Sequence, residues 1–216
     1  MTYTTTIFSI PKPVSEDHIT QYIRIRLAAL KTDPEAFGST HTVETAFSRE
    51  QWRGRVNNPA RTTLFATTAP SAIADASNEI DAGSHHDDHE SKWVGTLSVL
   101  GPEMLRGVLA FPPRIEARGD AEIYMLTGMW VHPDFRKKGV GRRMVEHASQ
   151  VVRDFCVIDK GQDDQNREGN GRRQKILILE VNDANFEAQR LYESQGFVEE
   201  PGGTQEGTKW LVLYIR

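Results

Sequence analysis

Arg136-Lys137-Lys138-Gly139-Val140-Gly141-Arg142-Arg143 is the stretch on which the reading of this chain turns. It lies between an apolar, strand-like segment ending Met129-Trp130-Val131 and a segment with a strong helical apolar period. A glycine-interrupted turn that feeds a helix leaves several backbone N–H groups unpaired and pointing the same way. Those amides, with the positive end of the helix dipole, make a ready anion site. Gly139 and Gly141 let the backbone around Val140 approach a phosphate closely and take angles that a side chain forbids. The flanking Arg136, Lys137, Lys138 and Arg142 add positive charge, and the pattern points to a pyrophosphate.

Two common phosphate loops do not fit. A nucleotide-triphosphate loop needs G-x-x-x-x-G-K-[ST], and no such string occurs. A dinucleotide fingerprint needs G-x-G-x-x-G, but Met144 stands where the third glycine should be, and no βαβ unit opens the chain. What remains is R-x-x-G-x-G, preceded by Val131-His132-Pro133. This resembles the acyl-CoA-binding motif of the GNAT superfamily of N-acetyltransferases.

A second segment carries the same resemblance. Asn185-Phe186-Glu187-Ala188-Gln189-Arg190-Leu191-Tyr192-Glu193-Ser194-Gln195-Gly196-Phe197 is similar to the GNAT element N-x-x-A-x-x-L-Y-x-x-x-G-F. It follows the apolar run Ile176-Leu177-Ile178-Leu179-Glu180-Val181, in the strand-then-helix order of that family. The residues support this independently. Ala188, Leu191 and Tyr192 lie three and four apart and share a helical face. Gly196 then ends the helix as a left-handed cap, and Phe197 starts the next strand.

Composition bounds the rest. A length of 216 residues suits one domain with a sizeable core. Hydrophobic residues at 38% and charged residues at 26% are ordinary for a soluble globular protein. A net charge of −4 argues against general nucleic-acid binding, so the local basic cluster suits one phosphorylated ligand better than a polymer. A lone cysteine, Cys156, can form no internal disulfide and suggests a reducing compartment. The start Met1-Thr2-Tyr3-Thr4-Thr5-Thr6 lacks the regions of a signal peptide, and no apolar run is long enough to span a membrane. The expectation is a cytoplasmic protein, with nuclear access left open.

Along the chain, Thr5-Thr6-Ile7-Phe8-Ser9-Ile10 reads as a first strand closed by Pro11 and Pro13. A helix is predicted from Ser15, with Ile19, Tyr22, Ile23, Arg26, Leu27 and Leu30 at helical spacing. Asp33-Pro34-Glu35-Ala36-Phe37-Gly38 interrupts it. Ser48-Arg49-Glu50-Gln51 is a capping-box pattern, opening a second helix with Trp52 and Val56. Residues 62–68, 92–100 and 122–131 read as strands two to four, and Phe197-Val198 and residues 208–215 as the last two. Met144, Val145, Ala148, Val151, Val152 and Phe155 form one apolar stripe on the helix after the glycine turn. Two polar tracts, 70–91 and 159–174, read as long exposed insertions.

The resemblance implies a mixed α/β (α+β) fold over 1–216. It comprises a mostly antiparallel twisted sheet of six to seven strands, about four helices, and strands four and five splayed around CoA. It also implies transfer of an acetyl group from acetyl-CoA, as co-substrate, to a small-molecule amine or peptide acceptor. Met129, Trp130, Val131, the 136–142 turn and Asn185 would then meet the cofactor, and an amide near Trp130 or Val131 would face the developing oxyanion. Holding thioester and amine together can alone supply about 7 kcal/mol or more of the barrier. Tyr192 matches the family's proton donor to the departing thiolate, a phenol that keeps its proton at neutral pH.

The general base is the departure from the family pattern. Relatives carry a Glu six or four residues before the valine of Val131-His132-Pro133, where this chain has Met125 and Thr127. Thr127 as a water relay, Glu122 further back and Glu44 are the alternatives, with His132 reading as a loop residue. Phe37 and Glu44 fall where relatives build the acceptor pocket. His85-His86-Asp87-Asp88-His89 has metal-ligating residue types but no rigid scaffold, so no metal is expected. Relatives of this kind are often dimers. The alternative function is an acyl-CoA-binding regulatory module that has lost its base.

Overall fold

The computed structural model describes residues 3–70, 92–107, 111–119, 121–155, 173–201 and 206–215. Strand β1 (Tyr3–Ser9) pairs antiparallel with β2 (Arg61–Pro70), from Tyr3↔Pro70 to Ser9↔Leu64. Helix α1 (Glu16–Thr32) starts where Ser15 accepts a hydrogen bond from the N–H of His18, and Glu16 and Asp17 face the positive end of its dipole. Its buried face carries Ile19, Tyr22, Ile25, Arg26, Ala29 and Leu30. A one-turn helix α2 (His41–Thr45) precedes α3 (Arg49–Asn57), whose predicted capping box is present: Ser48 accepts from Gln51, and Gln51 accepts from the N–H of Ser48.

Strand β3 (Lys92–Leu100) is followed by two further one-turn helices, α4 (Pro102–Leu105) and α5 (Pro113–Glu116). Then come β4 (Glu122–Val131), a 3₁₀ turn (Pro133–Phe135), and α6 (Val140–Asp154). The chain closes with β5 (Lys175–Asn182), α7 (Phe186–Glu193), β6 (Val198–Glu200) and β7 (Thr208–Ile215). The seven strands run in the order β1-β2-β3-β4-β5-β7-β6. The sheet is mixed, as expected. β4 and β5 are parallel over Glu122↔Lys175 to Met125↔Ile178, while β5–β7 and β6–β7 are antiparallel.

The four predicted helices are the long ones, α1, α3, α6 and α7. The three short ones escape a periodicity reading because one turn shows no period. Pro102 and Pro113 each sit in a first helical turn, where a missing N–H is not needed. The readings of the tracts 71–91 and 159–172, and of Cys156, lie outside the described residues.

The chain forms two compact units, Met1–Ser98 with Gly128–Met144, and Val99–Thr127 with Val145–Arg216. In the first, Ile19, Tyr22, Ile25, Ala29, Trp52, Phe65 and Trp130 are buried together. In the second, Ile115, Ile176, Ile178, Trp210 and Val212 form the core, with Met125 packed on it. On α6 the expected stripe is Met144, Val145, Ala148 and Val152, with Val151 and Phe155 half-buried. No helix among the described residues is long and apolar enough to cross a membrane.

Lys175 ties the start of β5 to the end of α6. Its ammonium donates to the carbonyls of Val152 (2.8 Å), Arg153 (3.0 Å) and Phe155, groups that a helix end leaves unpaired. Replacing it by methionine keeps the stem and removes the donor, so Lys175→Met should lower the unfolding free energy by about 1–2 kcal/mol. A urea denaturation midpoint equal to that of the parent protein would show that water serves those carbonyls equally well.

Candidate functional site

The glycine turn has the geometry its sequence requires. Lys137 (φ 58°) and Gly139 (φ 76°) are both left-handed, on either side of Lys138. Alternation of this kind turns successive N–H groups toward one concavity. Among the described residues no backbone carbonyl accepts from the N–H groups of residues 138–141. A Cβ placed on Gly139 would meet nothing within 4 Å, so its left-handed backbone, not crowding, is what demands glycine. Gly141 differs: it lies in the first turn of α6, outside the left-handed region, and only its small size can matter. Val140 buries its side chain and offers its amide alone. Lys137, Lys138, Arg142 and Arg143 are exposed around the turn. The Lys138 ammonium lies 5.3 Å from the Phe135 ring, and Arg143 donates to the carbonyl of Thr5 at 3.2 Å. An anion the size of a phosphate suits this turn.

The side chain of Arg136 is committed elsewhere. Its Nε donates to the Val131 carbonyl at 2.9 Å, Nη1 donates to Asp33 Oδ1 at 3.2 Å, and Nη2 pairs with Oδ2 of the same carboxylate. Trp130 Nε1 also donates to Asp33 Oδ2, at 2.7 Å. The Asp33 N–H in turn donates to the Ala29 carbonyl, ending α1. Arg136 is therefore a strand-end clamp, and its predicted place in cofactor binding reduces to its backbone. Trp130 is buried, so its predicted contact reduces to its backbone, while Met129 and Val131 on either side are half-buried. Burial alone would raise Asp33, but hydrogen bonds from Arg136 and Trp130 and the Arg136 charge outweigh it and hold the carboxyl below its ordinary range.

Glu44 is 1% exposed and lies in an ion-pair cluster. Arg26 Nε donates to Oε2 at 2.9 Å and Nη2 to Oε1 at 2.6 Å, a bidentate fork, and Arg55 Nη1 adds a contact to Oε2 at 3.0 Å. Burial pushes its pKa up, but the Arg26 hydrogen bonds and the Arg26 and Arg55 charges prevail and hold it below the usual glutamate range. A carboxylate with both oxygens taken and lowered basicity is a poor proton acceptor. The geometry argues against Glu44 as the base and makes it a counter-charge. Phe37 stays beside it, its ring 4.7 Å from the Arg26 guanidinium.

In the second unit, Tyr192 packs against Phe197 with ring centroids 5.5 Å apart, across the left-handed Gly196. The Phe197 N–H donates to the Tyr192 carbonyl and the Gly196 N–H to Glu193, the double bond of a Schellman cap. Burial pushes the Tyr192 phenol well above its ordinary value. Asn185 Oδ1 caps α7, accepting from the Ala188 N–H at 3.1 Å, which leaves its NH₂ for a ligand. Thr127 is half-buried at the end of the strand segment that carries Met125, and Glu122 accepts from the Tyr124 hydroxyl at 3.2 Å. His132 Nδ1 accepts from the Asp134 N–H at 3.3 Å, a loop role as predicted.

Arg26, Asp33 and Gly128 were missing from the sequence-derived site. Arg26 had left a trace, a charged residue on the apolar stripe of α1. Asp33 looked like punctuation before a proline, and Gly128 (φ 64°) like an ordinary strand residue. The residues 85–89 considered for a metal lie outside the described residues.

Because Asp33 titrates below its ordinary value of 3.8, it stabilises the folded state above that pH, and the effect fades as pH falls through the lower folded-state value. Asp33→Asn should therefore cost about 1–2 kcal/mol at pH 7, the scale of charge-assisted hydrogen bonds. The gap between variant and parent should close on acidification below pH 3.8. Denaturant titrations at both pH values check this, and a gap unchanged by acid would remove the clamp's charge from the account.

Residues 103–199 match the family model described as an acetyltransferase (GNAT) domain. The sequence matches no curated protein. Among solved structures, Arabidopsis thaliana NAA60 in complex with acetyl-CoA is 13% identical, with a TM-score of 0.56 over 98% of this chain and 99% of that one. An acetyltransferase of GNAT family from Streptococcus pneumoniae is 14% identical, with a TM-score of 0.56 over 99% and 100%. A domain from Methanocaldococcus jannaschii is 10% identical, with a TM-score of 0.54 over 99% of both. The likeness to these structures is one of fold. The family match and that fold agree with the turn and the capped α7 helix: residues 103–199 carry a GNAT acetyltransferase domain match, and the chain has the fold of those solved structures.

Proposed function

We propose that this acyltransferase is an N-acetyltransferase, moving the acetyl group of acetyl-CoA directly to a primary amine within a ternary complex. The observation that carries this reading is the left-handed turn, where the N–H groups of 138–141 have no backbone acceptor among the described residues at the start of α6. Acetyl-CoA supplies the thioester, whose C–S bond is exchanged for a C–N bond. Residues 138–141 hold the pyrophosphate through amides, with Lys137, Lys138 and Arg142 adding charge. The end of β4, fastened by Asp33, offers a backbone donor near Trp130 or Val131 to the thioester oxygen. The Asn185 NH₂ is available to the pantetheine arm.

Two protons must move. The amine must lose one, since a protonated nitrogen has no lone pair, and the leaving sulfur must gain one. Tyr192 suits the second task, because a phenol whose pKa is raised by burial stays protonated at neutral pH. For the first, Met125 is no base and Glu44 is locked in its ion pairs, which leaves the Thr127 hydroxyl to order a water that takes the proton to solvent. The acceptor is a small-molecule amine or a peptide. One catalytic domain acting in the cytoplasm is sufficient for this chemistry.

Isothermal titration with acetyl-CoA tests the turn. Gly139→Val forces a β-branched residue into a left-handed backbone and should weaken binding at least about tenfold while the fold persists. Undiminished affinity would remove the phosphate assignment. Tyr192→Phe keeps the ring packed edge-on against Phe197 and should slow the chemical step roughly 10- to 10³-fold with acetyl-CoA still bound. Unchanged single-turnover rates would make Tyr192 a helix-cap residue and nothing more. Binding without turnover on any amine would favour the regulatory acyl-CoA-binding reading, which the lack of a strand-four carboxylate supports.

A further inference from the structure

The first unit contains more buried positive charge than it balances. Arg26 on α1 and Arg61 at the start of β2 are each 6% exposed. Arg55 on α3 stands beside them. Among the described residues, Glu44 is the one carboxylate that pairs with any of the three. Arg55 is half-buried and shares the same carboxylate, so two buried guanidinium groups against one carboxylate leave one buried positive charge uncompensated.

The hydrogen bonds show the same surplus. Arg61 Nη2 donates to Ser98 Oγ at 2.9 Å and to the Tyr22 hydroxyl at 3.2 Å, both neutral groups. Its Nε is buried with no partner, and so is Arg26 Nη1. Burial, and after it the charges of Arg55 and Arg26, pull Arg61 below the ordinary arginine range against the opposing pull of Tyr22 and Glu44. The guanidinium groups thus feel one another. A buried charged N–H without an acceptor is costly, and folds rarely keep one unless something else fills it.

One of the two unpartnered groups, on Arg26, has a definite address. Arg26 Nη1 lies 3.7 Å from the position that a Cβ on Gly128 would occupy, and Gly128 is left-handed. Tyr22, one helical turn before Arg26, carries the hydroxyl that meets Arg61. Gly128 is two residues before Trp130, roughly 7 Å along an extended strand. That spacing suits a molecule the size of an amino acid, with one end at the guanidinium groups and the other at the strand end.

We propose that Arg26 and Arg61 receive a carboxylate beside Gly128, so that the acetyl acceptor is an amine carrying its own carboxylate. Glu44 then has a second purpose: it holds Arg26 in place through one edge of the guanidinium while the Nη1 edge stays available. Phe37, stacked on the same guanidinium, covers the group from its other face. This inference rests on the transferase reading and narrows its acceptor.

The test compares free L-amino acids and dipeptides with their C-terminal carboxamides, on the wild-type protein, by thermal shift without cofactor and by thiol release with acetyl-CoA. At least one acid should raise the melting temperature and turn over, with kcat/KM at least about tenfold above its amide, the worth of a charge-assisted hydrogen bond. Arg61→Gln should erase that acid–amide preference, mainly through KM, while acetyl-CoA affinity measured by titration is retained. Amides that bind and react as well as acids, or no response to any acid, would overturn the proposal even if acetyl-CoA binds. Loss of acetyl-CoA binding in the wild type would instead strike the transferase reading, and the thermal-shift comparison would still decide the carboxylate site.

Discussion

One carboxylate, Asp33, fastens the end of α1 to a strand end and a turn that lie 97 and 103 residues further along the chain. It receives Trp130 from the end of β4 and Arg136 from the start of the glycine turn, and its own N–H closes α1. The turn depends on this contact because its alternating left-handed residues, Lys137 and Gly139, belong to no helix or strand ladder that would hold them. Arg136 also bonds the Val131 carbonyl, so strand end and turn are set as one piece. Backbone amides make a useful anion site only when their directions are fixed before the ligand arrives, since ordering them afterwards consumes binding energy. The arginine that opens the glycine motif thus serves the phosphate indirectly, by placing amides.

The charge distribution adds a second layer. The chain is acidic overall, at −4, yet concentrates cations in two places in its first unit: exposed around the turn, and buried on Arg26 and Arg61. Net charge says little about either. Exposed lysines are screened within about a Debye length and mainly assist encounter. The buried arginines work in a medium of lower dielectric, where the same charge discriminates strongly between anionic and neutral groups.

Much of this was legible in the sequence. Ser15, the Ser48–Gln51 capping box and the ends of β4 are local features, set by residues within a few positions of one another. Gly139 and Gly196 were legible because a left-handed turn has few solutions other than glycine. What sequence could not disclose were pairings at long range. Asp33 and Arg136 are 103 residues apart, and Trp130 reaches Asp33 across 97. Glu44 looked like a base because its residue type allows it, and only its neighbours Arg26 and Arg55 show that it is neutralised. Residue type states what chemistry is available, and tertiary partners decide whether it is spent.

The grip of Lys175 on the end of α6 bears on how this protein can be altered. Lys175 and its acceptor Phe155 stand 20 positions apart, so the chain leaves one pinned point and returns to another held against it. The entropy of closing a connection grows only slowly with its length, by about 0.6 kcal/mol for each doubling. With both ends secured by that ammonium, lengthening the connection between them costs the fold little. A fluorescent reporter or a binding module inserted there would leave β5 in register with β7.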